Sequence, residues 1–298
     1  MIVVTGAQGF IGSTMIGYLN KMGITDVVAL DDFGICHQQG YVFKANYTNL
    51  QSCKFKNIHH ISLEESDILP NKDIKAVFHF GAISNTLEKD FSKFEYYNIK
   101  YTEVLNRVCK QRKIPLIFSS TAAIYGNGNG PLNPYAESKL ESEKAIRDHS
   151  VCLRLFNVYG QNEGHKGRMA SVVFKWLKEL RETGKIRIFE NSDQYMRDFV
   201  YVNDICKIAY HLLSAYTPGV YDLGSGTSRS FEEVADCVIS HYGSGTKEYI
   251  SMPEDLRLQY QTDTKADLCG LQSIGIFSNM TSLEAGVKTF KITQESAL

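Results

Sequence analysis

The 298-residue sequence predicts an α/β fold in which helices cover both faces of a parallel sheet. Short apolar runs alternate with helical patterns through about residue 160, as buried strands and crossover helices do. The first run, residues 1–4, leads directly into the glycine-rich sequence TGAQGFIG at residues 5–12. A strand, a glycine turn and a helix in this order are typical of a Rossmann-type, doubly wound sheet.

The glycine-rich turn predicts a dinucleotide site. Gly6 permits a tight turn, Gly9 lets the backbone approach phosphates, and Gly12 lets the helix pack closely on the sheet. Free N–H groups at the helix start, around Phe10 and Ile11, would face an anionic diphosphate. The spacing is Gly-x-x-Gly-x-x-Gly instead of the usual Gly-x-Gly-x-x-Gly, so a plain strand–turn–helix is the alternative.

Two acidic residues follow the second apolar run, which spans residues 26–30. Asp31 and Asp32 lie about 20 positions beyond the glycines, where an acidic side chain holds a ribose hydroxyl of NAD. The alternative is that they are turn residues at a strand end. Both carboxylates would repel the 2′-phosphate of NADP unless a cation such as Lys44 reaches it.

The remaining elements follow in chain order. We predict strands at residues 75–80, 115–119, 151–156, 186–189, 198–202 and 220–224, and helices at 91–112, 135–147, 169–181 and 231–242, with a helix that Asn203 or Asp204 caps leading to residue 214. Right-handed crossovers place the loops after the strands at one edge of the sheet. Residues 6–12, 31, 81–84, 119–125 and 157–160 should therefore share one crevice.

This organisation predicts two parts. Residues 1–165, with a returning segment at about 198–225, would form the dinucleotide-binding domain. Residues 166–197 and 226–298 would form a smaller C-terminal α/β substrate-binding domain.

Composition argues against several function classes. The formal net charge of −1 and the absence of a long basic run argue against nucleic-acid binding. The sequence has no run of 18 apolar residues, so we expect no membrane span. No cleavable leader precedes the first strand, so we expect a cytoplasmic protein. The seven cysteines form no Cys-x-x-Cys pair and the eight histidines no His-x-x-x-His pair, so we expect neither disulfides nor a metal site.

Tyr135 and Lys139 are candidate catalytic residues because they lie four apart at a predicted helix start and share one face. A tyrosine hydroxyl titrates near pH ~10, and a nearby ammonium would lower the pKa of Tyr135 and make it a base near neutrality. Thr121, after the strand at 115–119, could hydrogen-bond a reacting alcohol. An exposed surface Tyr/Lys pair is the alternative.

The sequences TGAQGFIG, SSTAAIYG (119–126) and YAESK (135–139) resemble the extended short-chain dehydrogenase/reductase family that acts on nucleotide-sugars. The resemblance implies hydride transfer to a nicotinamide, with Tyr135 as base and Lys139 also contacting the nicotinamide ribose. The strand-end loops and neighbouring elements complete the predicted cofactor site with Gly81, Ala82, Ser84, Asn98 and Val158.

A narrower resemblance lies in FNVYG (156–160), EGHKGRMAS (163–171) and RDFVYV (197–202), which are similar to family members that invert C6 of an ADP-activated heptose. It implies that Lys166 is a second acid/base group opposite Tyr135, and that NADP is bound tightly, one per subunit of a homo-oligomer. It also implies nucleotide-sugar contacts from Thr121, Asn157, Arg168, Lys175, Phe189, Glu190, Asn191, Ser192, Arg197 and Tyr260.

Three questions stay open at this point. The resemblance favours NADP, whereas Asp31, Asp32 and the lack of a lysine near position 38 favour NAD. Another nucleotide-sugar epimerase or a dehydratase is possible, although a dehydratase would need acidic side chains at Ala122 and Ala123. A non-catalytic NAD(P) sensor would have a broken Tyr-x-x-x-Lys motif, which is intact here.

Overall fold

A parallel sheet of seven strands organises the protein. The computed structural model describes residues 1–31, 47–60, 63–254, 260–276 and 279–291. The strands are Ile2–Thr5 (β1), Val27–Asp31 (β2), Asn57–His60 (β3), Ala76–His79 (β4), Leu116–Thr121 (β5), Val151–Leu155 (β6), Asn157–Tyr159 (β7), Lys185–Phe189 (β8), Met196–Tyr201 (β9), Gly219–Leu223 (β10), Ser228–Ser230 (β11), Thr246–Ile250 (β12) and Asp263–Thr264 (β13). The large sheet has the order β10-β6-β5-β4-β1-β2-β3.

Helices cover both faces of this sheet, which confirms the predicted fold class. They are Phe10–Lys21 (α1), Phe91–Phe94 (α2), Tyr101–Gln111 (α3), Pro134–Ile146 (α4), Val172–Thr183 (α5), Val202–His211 (α6), Phe231–Tyr242 (α7), Cys269–Ser273 (α8) and Leu283–Val287 (α9). On one face, Ile16 of α1 and Ile205 of α6 pack in one core with Val4 of β1. On the other face, Leu105 of α3 packs with Val3 of β1. Alternate side chains of one strand thus enter opposite cores.

The remaining strands form two smaller sheets beside a further core. β9 pairs in parallel with β7 and β13 and antiparallel with β11, and β8 pairs in parallel with β12. Helices α5 and α7 pack in this core through Val173 and Val234. The chain returns to the large sheet at β10, beside β6. The division into two domains at the predicted boundaries stays a prediction.

The helices differ from the sequence predictions in several respects. The helix expected at 91–112 contains a π-helical stretch, Glu95–Lys100. Helix α5 begins at Val172, later than expected, because the Ser171 hydroxyl caps it by accepting the Phe174 N–H. The predicted cap at Asn203 or Asp204 is wrong: α6 starts at Val202, and the Asp204 carboxylate accepts two hydrogen bonds from Thr281.

Among the helices in the described part of the chain, none has the length and apolar character needed to cross a bilayer.

Candidate active site

The carboxyl ends of the central strands border a crevice of about 400 Å³. Parallel strands end at the same edge of a sheet, and ligands bind there. Most of the sequence-predicted cofactor and catalytic residues line it, namely Gly6, Gly9, Phe10, Ile11, Gly12, Asp31, Gly81, Ala82, Ser84, Thr121, Tyr135, Lys139, Val158 and Lys166. Asp32 and Lys44 lie outside the described residues.

The glycine turn is packed closely enough to exclude side chains. Gly6 has φ +63°, and a Cβ there would lie 2.7 Å from the Gly81 nitrogen. A Cβ on Gly12 would lie 2.0 Å from the Gly6 carbonyl oxygen. Helix α1 follows, and no side chain among the described residues caps its N-terminus. Its first N–H groups are therefore available to an anion, as a dinucleotide diphosphate requires.

Two groups at the β2 end of the crevice also suit a dinucleotide. The Asp31 carboxylate accepts the Gln8 N–H at 2.7 Å, which ties the strand end to the glycine turn. The Tyr101 hydroxyl is buried and has no hydrogen-bond partner among the described residues, although its ring lines the crevice. Burial and the nearby Asp31 carboxylate raise the pKa of Tyr101, so its hydroxyl stays a donor. A bound hydroxyl or phosphate oxygen would remove the cost of this unpaired group.

Helix α4 carries the Tyr/Lys pair into the crevice. Its first turn is fixed by Pro134 and by Asn133, whose side chain accepts the Ala136 N–H at 2.9 Å. Lys139 is buried, donates from Nζ to the Ser119 carbonyl at 2.7 Å, and lies 4.5 Å from the Phe118 ring centroid. Burial lowers the pKa of Lys139 to about 7. The pair is therefore an interior feature, and the alternative of an exposed surface pair is excluded.

The expected lowering of the Tyr135 pKa is wrong for this arrangement. Burial raises the pKa of the Tyr135 hydroxyl, and a hydrogen bond with Thr121 opposes that rise. The Lys139 ammonium is directed to a backbone carbonyl, and burial disfavours its charge as well. Desolvation of both groups outweighs the attraction that the sequence spacing implied.

Asn98 lies behind the crevice, not on its surface. It is buried in the π-helical stretch, where its side-chain oxygen accepts the Ile83 N–H at 2.8 Å. Its amide donates to the Ile83 carbonyl and to the Ser138 hydroxyl, at 3.1 and 2.9 Å. Asn98 therefore holds the loop after β4 against α4, beside Lys139, without itself lining the cofactor crevice.

Sequence reasoning missed a buried histidine at the end of β4. His79 Nδ1 lies 2.6 Å from the Thr5 hydroxyl, and Nε2 lies 2.9 Å from the Thr102 hydroxyl. Thr5 also accepts the Gly81 N–H at 3.0 Å. Burial and the Lys139 charge hold the pKa of His79 well below its usual value, so it stays neutral. This chain of hydrogen bonds fixes the loop at Gly81 to β1.

Lys166 lies across the crevice mouth on the loop before α5. Its ammonium is 5.2 Å from the ring centroid of Phe10, beside the glycine turn. Burial and the Lys175 charge lower the pKa of Lys166, whereas the Glu163 carboxylate raises it. Lys175 is half-buried on α5, and burial lowers its pKa too.

An aromatic group surrounds Arg197 on β9. The guanidinium carbon lies 4.9 Å from the Tyr260 ring centroid and 5.6 Å from that of Phe231. The Phe189 ring packs edge-on against Tyr260 at 6.3 Å. Burial lowers the pKa of Arg197, opposed by Tyr260 and Asp263. A buried, forked guanidinium of this kind suits a diphosphate.

The remaining predicted substrate contacts lie outside the aromatic group around Arg197. Asn157 and Arg168 are exposed, as are Glu190 and Asn191. The buried Ser192 hydroxyl donates to Glu232. Contact of these residues with a substrate stays a prediction.

The chain is similar to known proteins over nearly its whole length. Residues 2–224 match the NAD dependent epimerase/dehydratase family. The chain is 38% identical to the ADP-L-glycero-D-manno-heptose-6-epimerase of Alkalilimnicola ehrlichii and 34% identical to that of Brachyspira hyodysenteriae, each over 97% of this chain and 96% of the relative. The crystal structure of Helicobacter pylori ADP-L-glycero-D-manno-heptose-6-epimerase has the same fold, with a TM-score of 0.83 at 24% identity over 97% of this chain and 94% of that one. The protein therefore belongs to the NAD dependent epimerase/dehydratase family.

Proposed function

We propose that the protein converts ADP-D-glycero-D-manno-heptose to ADP-L-glycero-D-manno-heptose by inverting C6. The observation that carries the proposal is that Tyr135 and Lys166, two groups able to move protons, line one crevice with the glycine turn. The near full-length similarity to enzymes named for this reaction supports the choice of sugar. The family is NAD dependent, so the cofactor is a nicotinamide dinucleotide, which accepts and returns a hydride when bound.

Tyr135 and its neighbours serve the oxidation. The Tyr135 phenolate takes the proton of the C6 alcohol as the hydride leaves C6, and Thr121 hydrogen-bonds Tyr135 during this step. Lys139 lies one helical turn along α4 and contributes positive charge when protonated. Because burial raises the pKa of Tyr135, this charge and the bound cofactor must together favour the phenolate.

Lys166 serves the opposite face of the resulting ketone. C6 lies outside the pyranose ring, so rotation of the side chain can present its other face to the same cofactor. Lys166 then donates the proton to the C6 oxygen as the hydride returns. A pKa lowered by burial suits an ammonium that must give up its proton near neutrality. Arg197, among its aromatic neighbours, would hold the diphosphate of the nucleotide-sugar.

The experiment is to incubate the protein with ADP-D-glycero-D-manno-heptose and to determine the C6 configuration by NMR. We expect Y135F and K166M each to abolish conversion. Tyr249 and Lys178 are exposed residues of the same types, so Y249F and K178M are matched controls that should stay active. Full activity of K166M would show that Lys166 is not the second acid/base group. Reduced nicotinamide accumulating in step with product, inversion at C4 or loss of water would contradict the proposal.

The carboxylate of Asp31 favours NAD over NADP, since it would repel a 2′-phosphate near the end of β2. We expect NADH to bind more tightly than NADPH at low salt, and the difference to shrink as salt rises because screening weakens the repulsion. D31N should narrow the difference at low salt. Tighter binding of NADPH to the unaltered protein would contradict this preference.

A further inference from the structure

The loop that carries Lys166 is closed at its base by a buried carboxylate. Glu163 is fully buried and accepts hydrogen bonds from the Gly160 N–H at 3.1 Å, the Ser171 N–H at 2.6 Å and the Ser171 hydroxyl at 2.7 Å. These contacts join the two ends of residues 160–171, which we call the base loop. The two ends of the base loop are therefore held together, next to β7 and α5.

A second fastening lies at the outer end of the base loop. The side-chain amide of Asn49 lies 2.9 Å from the Gln8 carbonyl oxygen, 3.1 Å from the Asn162 carbonyl oxygen and 3.2 Å from His165 Nδ1. Gln8 belongs to the glycine turn, and the other two acceptors belong to the base loop. One amide group thus joins the cofactor turn to the loop of the second base.

Asn49 is held well enough to serve as an anchor. It lies in the 3-10 turn Tyr47–Leu50, and Leu50 is 4% exposed in the core beneath α1. The Cys53 N–H closes the segment by donating to the Leu50 carbonyl at 2.9 Å. Its contacts span 41 to 116 residues of sequence, so they restrict the base loop far more than a local hydrogen bond could.

The base loop crosses the part of the crevice where the cofactor diphosphate would lie. His165 and Lys166 line the crevice together with Gly9 and Phe10. Because these residues face each other across the crevice, the fastened loop would cover a dinucleotide bound on the glycine turn. With the loop released, both the cover and the position of the Lys166 ammonium over Phe10 are lost.

We propose that Asn49 is a positioning residue that fastens the base loop over the bound cofactor and thereby retains the cofactor and holds Lys166 in place. This role rests on the proposed function, because an enzyme that returns the same hydride must keep its reduced cofactor until the second half of the reaction. The proposal gives a function to Asn49, which lies in a segment that carries no sequence motif.

The test measures how fast reduced cofactor leaves the holoenzyme in the absence of sugar. NADH fluorescence is followed after a large excess of NAD is added to the wild-type protein, N49A and N20A. Asn20 is the matched control, since its amide also joins separate segments, at Ile24 and Lys54, away from the crevice. We expect dissociation from N49A to be roughly tenfold faster, as the loss of one or two hydrogen bonds implies, and N20A to match wild type within about twofold.

Two further measurements distinguish a positioning role of Asn49 from a general effect on the stability of the fold. Hydrogen exchange should rise at residues 160–171 in N49A while the protection of β1 and α1 stays unchanged. H165A removes one of the three acceptors of the Asn49 amide. Because His165 is exposed, this variant should keep the fold. It should release the cofactor faster than wild type but more slowly than N49A. Wild-type release rates in both N49A and H165A would overturn the proposal. Because no sugar is present, that result would leave the proposed epimerisation standing.

Discussion

Gly12 and Gly17 lie in the same helix and should respond oppositely to alanine. A Cβ on Gly12 would lie 2.0 Å from the Gly6 carbonyl oxygen and 2.7 Å from its carbon, so α1 and the turn must separate by about 1 Å. Overpacking of this kind costs about 1–3 kcal/mol, and backbone contacts leave no side chain to move aside. A Cβ on Gly17 meets nothing within 4 Å. Alanine there gains the helix preference of about 1 kcal/mol over glycine.

We therefore expect G12A to lower the free energy of unfolding by about 2 kcal/mol and G17A to raise it by about 0.5–1 kcal/mol. Equilibrium unfolding in urea measures both, with unchanged slopes as the sign that only stability has moved. Titration with NADH should show weaker binding to G12A alone, because only that change displaces the phosphate-facing turn.

The two alanines should change the free energy of unfolding in opposite directions. Equal stabilisation by both alanines would mean that the turn and the helix can move apart freely. The close approach of Gly12 to Gly6 would then have no part in the cofactor site.

Three other predictions concern buried charges. K139M should abolish activity yet stabilise the protein by roughly 2 kcal/mol below pH 7. Burial lowers the pKa of Lys139 from 10.5 to about 7, so unfolding takes up a proton between these values and the gain should fade as pH rises toward 10.5; a pH-independent gain in thermal unfolding would contradict this. R154M should destabilise by about 3 kcal/mol because it leaves Glu143, 2% exposed, without its 2.6 Å partner. The double variant R154M/E143L should recover most of that loss in denaturant titrations, and no recovery would exclude charge burial as the cause. R197A should raise the Kd of ADP-sugar by about 10- to 100-fold with NADH binding unchanged, and calorimetry showing equal loss of both ligands would contradict a diphosphate role.

Local sequence patterns were sufficient for the architecture. The strands and the glycine turn are specified by neighbouring residues. The position of Asp31 follows from sheet topology, which obeys general handedness rules. The crevice lining includes Gly81 and Val158, as the rule about strand ends predicts.

Patterns were insufficient where partners are distant in sequence. Asn98 is a predicted cofactor contact, but its side chain hydrogen-bonds Ile83 and Ser138. His79, Glu163 and Asn49 act through acceptors and donors brought together by folding, and none carries a motif of its own except Glu163, inside EGHKG. A helix cap at Asp204 failed for the same reason, since Thr281 competes for the carboxylate.

The sequence by itself determined the fold class, the glycine turn and the Tyr/Lys pair, because each is specified by spacing within one or two elements. Tertiary structure decided the electrostatics of the crevice and the position of Lys166. Burial, which no spacing reports, raises the pKa of Tyr135 and lowers those of Lys139 and Lys166. The placement of Lys166 over Phe10 depends on contacts between residues more than 100 positions apart, which exist only in the folded chain.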